Sequence, residues 1–187
     1  MDTWDLRLLR EAATFFEEKR QRAYLVGGSL RNMLLGEPCV DWDIVTDGNA
    51  PGLARRLADR LGGHYAHMHE KASRVVVKGE HEVVFDVAAQ VGGSLEADLR
   101  LRDFTVNAIA APLASVVGHF ETGAPAQFID PLHGVADAQV RRLRAVDNEA
   151  FRRDPLRMLR AFRLAQRYGL ALDAGTRGLL MRDAALL

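Results

Sequence analysis

Cysteine, net charge and long apolar runs are scarce in this 187-residue sequence, and each scarcity excludes a class of protein. The single cysteine, Cys39, excludes an internal disulfide and is typical of a reducing cytoplasm. No apolar run reaches the roughly 18 residues of a membrane-spanning helix, so we predict no membrane partner. The first 20 residues are amphipathic and unlike a signal peptide. A formal net charge of zero argues against a protein that coats nucleic acid without specificity.

The residues that are present are those of an ordinary globular protein, with 48% hydrophobic and 27% charged side chains. This length allows one sizeable core and a second small lobe. The charge is unevenly placed, because residues 141–187 hold eleven arginines against five acids. Such a segment attracts phosphate-rich ligands, although some of these arginines are explained equally well as a solvated helix face.

Strand-like and helix-like patterns alternate in the first half of the chain, with a strand hairpin in the middle, which predicts a mixed α+β sheet. A helical pattern ends at Pro112, and we expect residues 113–127 to be loop or short strand. In the last third, Asp154-Pro155 begins a helix whose apolar stripe is Leu156, Leu159 and Phe162. The predicted strands are residues 23–26, 40–46, 64–68, 74–78 and 82–88; the predicted helices are residues 3–20, 29–35, 51–61, 104–111, 135–140, 154–169 and 176–187.

The stretch from Tyr24 to Thr46 carries the strongest chemical signal in the sequence. Gly27-Gly28 lies between a strand and a short helix, where free backbone N–H groups and the positive helix end favour an anion. Asp41 and Asp43 follow on the next strand and point to the same face, because strand side chains alternate. Two adjacent carboxylates repel each other unless a cation lies between them, which suits a divalent metal beside a phosphate. Each motif taken alone is also typical of a plain turn and of a solvated strand end.

Asp86 lies within the apolar strand VVFDVA, where an acid is costly unless a cation or donor is near. We expect it to add a third carboxylate to the same site, and the alternative is a sheet edge that faces water. Asn107 lies among apolar neighbours and should need a hydrogen-bond partner. Three nearby histidines allow a zinc site in principle, but strand and turn positions explain them adequately; they are His64, His67 and His69.

Several motifs in order resemble the class II tRNA nucleotidyltransferase and bacterial poly(A) polymerase family. They are VGGSLRNMLLG (26–36), DWDIVT (41–46), DLRLRDFTVNAIA (98–110), FIDPLHGVADA (128–138) and RRDPLRMLRAFRLA (152–165). The resemblance implies a polymerase beta-like nucleotidyltransferase sheet with flanking helices, followed by a helical neck. It divides the chain into a catalytic head, residues 1–140, and a truncated neck, residues 141–187. The long helical body and tail of the family are then absent, so we expect weak tRNA affinity.

The resemblance also implies roles for individual residues. Asp41 and Asp43 match the acids that bind Mg²⁺, and Asp86 matches the acid that helps the RNA 3′-hydroxyl attack. Asp154 and Arg157 match a pair that contacts the edge of the incoming base, as an acceptor beside an Arg fork can do. The full set of expected nucleotide-binding residues is Gly27, Gly28, Arg31, Arg102, Asp103, Asn107, Asp154, Arg157, Arg160 and Arg163.

The sequence departs from the family pattern at Asn32, Leu101 and Arg153, none of which is an expected metal ligand. The segment VAAQVGGSLEA is also short where CCA-adding members carry a longer flexible loop, which resembles the CC-adding subgroup. We therefore expect a cytoplasmic enzyme that adds CMP to the tRNA 3′ end from CTP, or CCA if it also uses ATP. The alternatives are a poly(A) polymerase and a non-catalytic relic that binds nucleotide or RNA.

Overall fold

A computed structural model describes residues 3–39 and 41–187, which form a mixed sheet flanked by helices. The sheet has six strands in the order β3-β4-β5-β2-β1-β6, and β2 and β5 are parallel whereas the other neighbours are antiparallel. The predicted strands are confirmed within two residues at their ends, except that Val40 lies outside the described residues. The strands are β1 Ala23–Val26, β2 Asp41–Thr46, β3 His64–His69, β4 Ala72–Lys78, β5 Glu82–Ala89 and β6 Ala110–Pro112.

Helices cover the sheet and continue beyond it, and within the described residues no helix is long and apolar enough to cross a membrane. The main core packs α1 and α3 on the sheet around Phe16, Trp42 and Phe85, which are all almost fully buried. A two-stranded parallel ladder, β7 Arg142–Leu143 with β8 Ala171–Leu172, lies in the last third. The helices are α1 Thr3–Glu18, α2 Gly28–Leu35, α3 Ala50–Leu61, α4 Leu95–Arg100, α5 Leu113–Thr122, α6 Gly134–Gln139, α7 Ala150–Arg153, α8 Leu156–Tyr168 and α9 Ala174–Asp183, with 3₁₀ turns at Thr105–Asn107 and Ala184–Leu186.

Two predictions around Pro112 are wrong. Residues 104–111 form a 3₁₀ turn and the start of β6 instead of a helix, because Ala110 pairs with Val26 and with Ile129. Residues 113–122 form α5 instead of a loop, and Pro112 is the residue before this helix. Val116 and Val117 are β-branched and have low helix propensity, so the sequence did not predict a helix here. In the structure both are buried against the core.

The last third of the chain has its own apolar cluster, which also includes Phe104, Val106 and Ala138 from the preceding segment. Helix α8 buries Met158, Ala161, Leu164 and Tyr168 in this cluster. The predicted apolar stripe faces solvent instead, because the four buried positions occupy the opposite side of the helix; Leu156, Leu159 and Phe162 are 63%, 55% and 56% exposed. The N-cap of α8 is Pro155, one residue later than predicted, and Asp154 before it accepts a hydrogen bond from the Leu156 N–H at 3.1 Å.

The FIDPLHGVADA motif forms a structural corner under the site. Asp130 accepts hydrogen bonds from the N–H groups of Gly134 and Val135, at 2.7 and 2.9 Å, at the start of α6. The corner packs so closely that a Cβ on Gly134 would lie 2.0 Å from the Thr105 carbonyl oxygen. No side chain fits there, so the glycine is required by its contact with the DLRLRDFTVNAIA motif, residues 98–110, which we call the basic motif.

This contact generates a stability prediction. We expect Gly134→Ala to lower the free energy of unfolding by about 2–4 kcal/mol, because backbone must move to relieve the overlap. Gly178→Ala in α9 is the matched control, since a Cβ there meets nothing within 4 Å. It should change stability by less than about 1 kcal/mol, in the stabilising direction. Urea unfolding measures both, and equal stabilities of the two variants would contradict the packing.

Candidate active site

A cleft of about 650 Å³ lies between one face of the sheet, at strands β1, β2 and β5, and helix α8, and its volume is within the range of small-molecule sites. Eleven of the thirteen predicted site residues line it: Gly27, Gly28, Arg31, Asp43, Asp86, Arg102, Asp103, Asn107, Arg157, Arg160 and Arg163. Asp41, which is exposed, and Asp154, which is partly buried, do not line it. The cleft is strongly cationic along its α8 side and carries carboxylates on its sheet side.

The glycine pair forms one wall of the cleft at the start of α2. Gly27 has a φ of 67°, a left-handed conformation that favours glycine, and a Cβ there would lie 2.9 Å from Arg102 Nη1. A Cβ on Gly28 would lie 3.4 Å from Arg31 Nη2 and 3.6 Å from Asp43 Oδ2. The glycines therefore bring backbone next to two arginines and one carboxylate, as an anion-binding turn requires.

Ser29 joins this turn to the strand that carries the acids. Its hydroxyl donates to the Asp41 carbonyl oxygen at 2.8 Å and accepts the Asp43 N–H at 3.1 Å. The side chain is only 2% exposed, so water does not replace these bonds. Ser29 thus fixes the distance between the glycine turn and β2, a role that the sequence pattern alone did not indicate.

Two of the three predicted acids lie side by side. Asp43 and Asp86 are direct partners in the parallel β2–β5 register, so their side chains leave the same face of the sheet. Burial, followed by the Asp86 charge, raises the pKa of Asp43 from 3.8 to about 6. Asp41 adds to this rise, whereas Arg102 and the Gly28 N–H oppose it. The positive groups around Asp43 therefore do not offset the cost of its negative charge.

Asp86 has a partner that the sequence did not predict. Arg74, its cross-strand neighbour on β4, donates two hydrogen bonds of 2.7 Å to the two Asp86 carboxylate oxygens. This bidentate pair raises the pKa of the Arg74 guanidinium and keeps Asp86 oriented along the sheet. Among the described residues, no three His, Cys, Asp or Glu side chains are grouped closely enough to form a metal site by themselves.

A buried polar network joins the basic motif to α2 and α8. Asn107 has the partners that it was expected to need, because it accepts from Arg31 Nη1 and donates to Asp103 Oδ1 at 3.0 Å. Asp103 Oδ2 lies 2.9 Å from Arg160 Nη2, close enough for an ion pair although not aligned as a hydrogen bond. Arg102 donates to Asp98, an acid in α4 that sequence reasoning missed.

The predicted base-recognition pair is only loosely formed. Arg157 Nε lies 3.7 Å from Asp154 Oδ2, whereas both Nη atoms of Arg157 donate to backbone carbonyls, of Leu101 at 2.8 Å and Arg102 at 3.0 Å. Burial lowers the pKa of this guanidinium. In this structure Arg157 fixes the basic motif against α8, and its fork is already occupied by backbone.

The segment between β5 and α4 is short, as predicted. Only residues 90–94 separate the two elements, and Ser94 caps α4 by accepting the Ala97 N–H at 3.1 Å. Asp98 accepts the Val91 N–H at 3.1 Å, which holds this short segment against the cleft. The connection is therefore short and hydrogen-bonded, and the link between its length and the choice of nucleotide stays a prediction.

The mixed sheet, the paired acids and the glycine turn define a nucleotidyltransferase head. A family model described as the poly A polymerase head domain matches residues 23–144, and the chain belongs to that family. Four of the five motifs that indicated the family lie within the matched residues, and the fifth, residues 152–165, lies beyond them in α7 and α8.

Curated relatives and solved structures agree with this assignment. The chain is 40% identical over 167 residues to a CC-adding tRNA nucleotidyltransferase of Geobacter sulfurreducens, covering 88% of this chain and 36% of that protein. It is 28% identical to an A-adding tRNA nucleotidyltransferase of Halalkalibacterium halodurans, covering 94% of this chain and 43% of that protein. The Thermotoga maritima CCA-adding enzyme, solved in complex with tRNA, matches with a TM-score of 0.82 and 31% identity over 97% of this chain and 42% of that one. The chain therefore spans less than half the length of these relatives.

The raised pKa of Asp43 predicts how stability depends on pH without added metal. The Asp43 carboxyl keeps its proton up to about pH 6 in the folded state but only up to about pH 4 in the unfolded state. The free energy of unfolding therefore falls as the pH rises from about 4 to about 6. Asp43→Asn should remove this loss and be more stable than the parent by up to about 3 kcal/mol above pH 7.

Thermal unfolding in EDTA between pH 4 and pH 8 measures this difference, which should vanish near pH 4. Asp59→Asn, on the exposed side of α3, is the control for loss of a surface carboxylate. A stability difference between the parent and Asp43→Asn that does not change with pH would contradict the raised pKa of Asp43.

The Ser29 bridge predicts a second effect. Ser29→Ala should lower the free energy of unfolding by about 1–3 kcal/mol, since the buried Asp43 N–H and Asp41 carbonyl both lose a partner. Ser115→Ala, which removes an exposed acceptor for the Gln127 N–H, should cost less than about 1 kcal/mol. Urea titration compares the two, and a smaller cost at Ser29 than at Ser115 would argue against the bridge.

Proposed function

We propose that this chain is the catalytic and nucleotide-binding part of a template-independent tRNA nucleotidyltransferase that adds CMP from CTP to the tRNA 3′ end. One observation carries the proposal: Asp43 and Asp86 lie side by side in the cleft that is also lined by Gly28 and Arg31. Carboxylates beside an anion-binding turn suit the transfer of a phosphoryl-linked nucleotide. Membership of the head-domain family and the 40% identity to a CC-adding enzyme support it.

The residues present fit Mg²⁺, which the family resemblance implies as the cofactor. Asp43 is an oxygen ligand with a pKa raised by burial and by neighbouring carboxylates, and a divalent cation would relieve that repulsion. Asp41, two residues earlier on the same strand face, would complete the pair of ligands that hold it. When bound, Mg²⁺ lowers the pKa of the attacking hydroxyl and neutralises charge on the triphosphate.

The chain itself would bind and orient the two substrates. The Gly28 backbone, Arg31 and Arg102 surround the point where a triphosphate would lie, and their positive charge opposes phosphate repulsion. The acceptor 3′-oxygen then forms a bond to the α-phosphorus of CTP, and pyrophosphate leaves. The Arg74–Asp86 pair would hold the acid that we propose beside the attacking hydroxyl.

The cytosine edge would be recognised on the α8 side of the cleft. We propose Arg160 and Arg163 as the donors to the base, together with Asp154 and Arg157 if the pair tightens on binding. In the structure, however, the Arg157 fork contacts backbone and Asp154 does not line the cleft, so the pair must rearrange to contact a base. The ordered network Arg31–Asn107–Asp103–Arg160 needs no such change.

The short segment between β5 and α4 favours CC addition over full CCA addition. A segment of five residues, held by Asp98, has little reach or freedom to change the cleft from a shape that binds cytosine to one that binds adenine.

A poly(A) polymerase is the second candidate, since the same head domain carries that activity in the family. The paired acids argue against a non-catalytic relic, because a pure binding site gains nothing from carboxylates next to phosphate. Substrates of this kind and the lone cysteine suit the cytoplasm, which we propose as the location.

A radiolabelled incorporation assay tests the proposal directly. With Mg²⁺ and CTP, the protein should add two CMP residues to tRNA that lacks CCA, and it should add no AMP to tRNA ending in CC. Asp43→Ala should reduce addition by at least about a thousandfold, because both the carboxylate and the metal that it holds are lost. Asp41→Ala should do the same, whereas Asp59→Ala on α3 serves as a matched control and should keep full activity.

Three outcomes would contradict parts of this proposal. AMP addition to CC-ended tRNA would replace CC addition with CCA addition or A addition. Preference for generic RNA and ATP over tRNA would indicate a poly(A) polymerase. Full activity of folded Asp43→Ala with Mg²⁺, checked by thermal unfolding, would remove the assignment of the acids altogether.

A further inference from the structure

We propose that Tyr168, the last residue of α8, is a positioning residue that holds Arg31 in place to bind the triphosphate of the incoming nucleotide. The inference rests on the proposed function and extends it to a side chain that none of the motifs indicated. Tyr168 lies 137 residues from Arg31 in the chain, so only the tertiary structure brings them together.

Tyr168 contacts Arg31 in two ways at once. Its hydroxyl accepts a 2.8 Å hydrogen bond from Arg31 Nη2, and its ring centroid lies 4.3 Å from the Arg31 guanidinium carbon. A flat guanidinium stacked on a ring and hydrogen-bonded to its hydroxyl can neither tilt nor slide freely. The orientation of Arg31 is therefore set by α8 as well as by α2, the helix that carries it.

Tyr168 is itself rigid enough for this role. It is 5% exposed and belongs to the apolar cluster of the last third of the chain. Arg141 Nη1 donates to its carbonyl oxygen at 2.7 Å, and Gly169 ends the helix directly after it. A side chain anchored by burial and by its backbone can transmit a fixed position to Arg31 without reorganising.

Arg31 keeps capacity for an anion after these contacts are made. Of the five N–H donors of a guanidinium, one is used by Asn107, one by Asn32 and one by Tyr168, which leaves two. Nε is one of the two, and it has no hydrogen-bond partner. All three partners are neutral, and no ion pair with Arg31 occurs among the described residues.

A guanidinium that is 8% exposed and lacks a counter-charge is costly unless a ligand supplies one. Arg31 lines the cleft beside the glycine turn, because a Cβ on Gly28 would lie 3.8 Å from Arg31 Nη1, the nitrogen that keeps one of its two N–H groups free. A phosphate seated on the Gly28 backbone would therefore meet an arginine already held at the required orientation. Without Tyr168, part of the binding free energy would be lost in ordering Arg31.

Tyr168→Phe separates positioning from packing, because it removes only the hydroxyl and keeps the ring. We expect the affinity for CTP to fall about five- to tenfold, since one hydrogen bond to a charged group is lost. The affinity for CMP, which lacks the β- and γ-phosphates, should change less than about twofold. Isothermal titration of the whole chain with each nucleotide measures both constants without any RNA acceptor.

The kinetic prediction follows from the same reasoning. In CMP addition to tRNA, Tyr168→Phe should raise KM for CTP about five- to tenfold and leave kcat within about twofold, because saturating CTP restores the bound geometry. Tyr168→Leu, which also removes the ring stacking, should have a larger effect on CTP than Tyr168→Phe. If Tyr168→Leu fails to fold, the Phe variant alone still tests the role.

Tyr65→Phe is the matched control, since it removes a hydroxyl that is 3.1 Å from Ser73 Oγ and remote from the cleft. It should leave the affinities for CTP and CMP unchanged. Equal weakening of CTP and CMP in Tyr168→Phe, or no weakening of either, would overturn the positioning role even if the protein adds CMP normally. Conversely, a protein that binds CTP as predicted but adds no nucleotide would contradict the proposed function and leave this inference standing.

Discussion

The repulsion between the Asp43 and Asp86 carboxylates is the constraint on which the site depends. The parallel register of β2 and β5 places them on one face of the sheet, and burial keeps water from screening them. Two cations offset part of this repulsion: Arg74 donates to both oxygens of Asp86, and the charge of Arg102 opposes the rise in the Asp43 pKa. The compensation at Asp43 is incomplete, and that deficit is what makes the site suited to a divalent metal.

The arginines in and around the cleft fall into two groups: some are paired within the protein, and others have no carboxylate partner among the described residues. Arg157 and Arg144 are used by backbone and by buried Asp137, so they hold the basic motif and the following corner together. Arg31 and Arg163 line the cleft with no carboxylate ion pair in the described part of the chain. The excess of arginine in the last quarter is thus only partly available to phosphate.

Helix α8 connects the two halves of the molecule. Its buried side packs into the second apolar cluster, and its cleft side presents Arg160 to Asp103 and Tyr168 to Arg31. Two separate parts of the cleft lining, Asp103 and Arg31, are therefore held by one helix. This explains why a motif more than 100 residues from the glycine turn belongs to the same site, and why the outward apolar residues of α8 contribute nothing to the cleft.

The sequence by itself determined the first five strands, the glycine turn and the acids, because strand alternation and glycine-rich turns are local rules that act within a few residues. It also determined the family, through motifs whose order and spacing survive without coordinates. Only the tertiary structure decided that residues 104–111 form a 3₁₀ turn and the start of β6 instead of a helix, since pairing of Ala110 with Val26 outweighs local propensity. Likewise, Arg74 on Asp86 and Tyr168 on Arg31 depend on strand register and on the docking of α8. Such contacts join distant residues, and no local pattern records them.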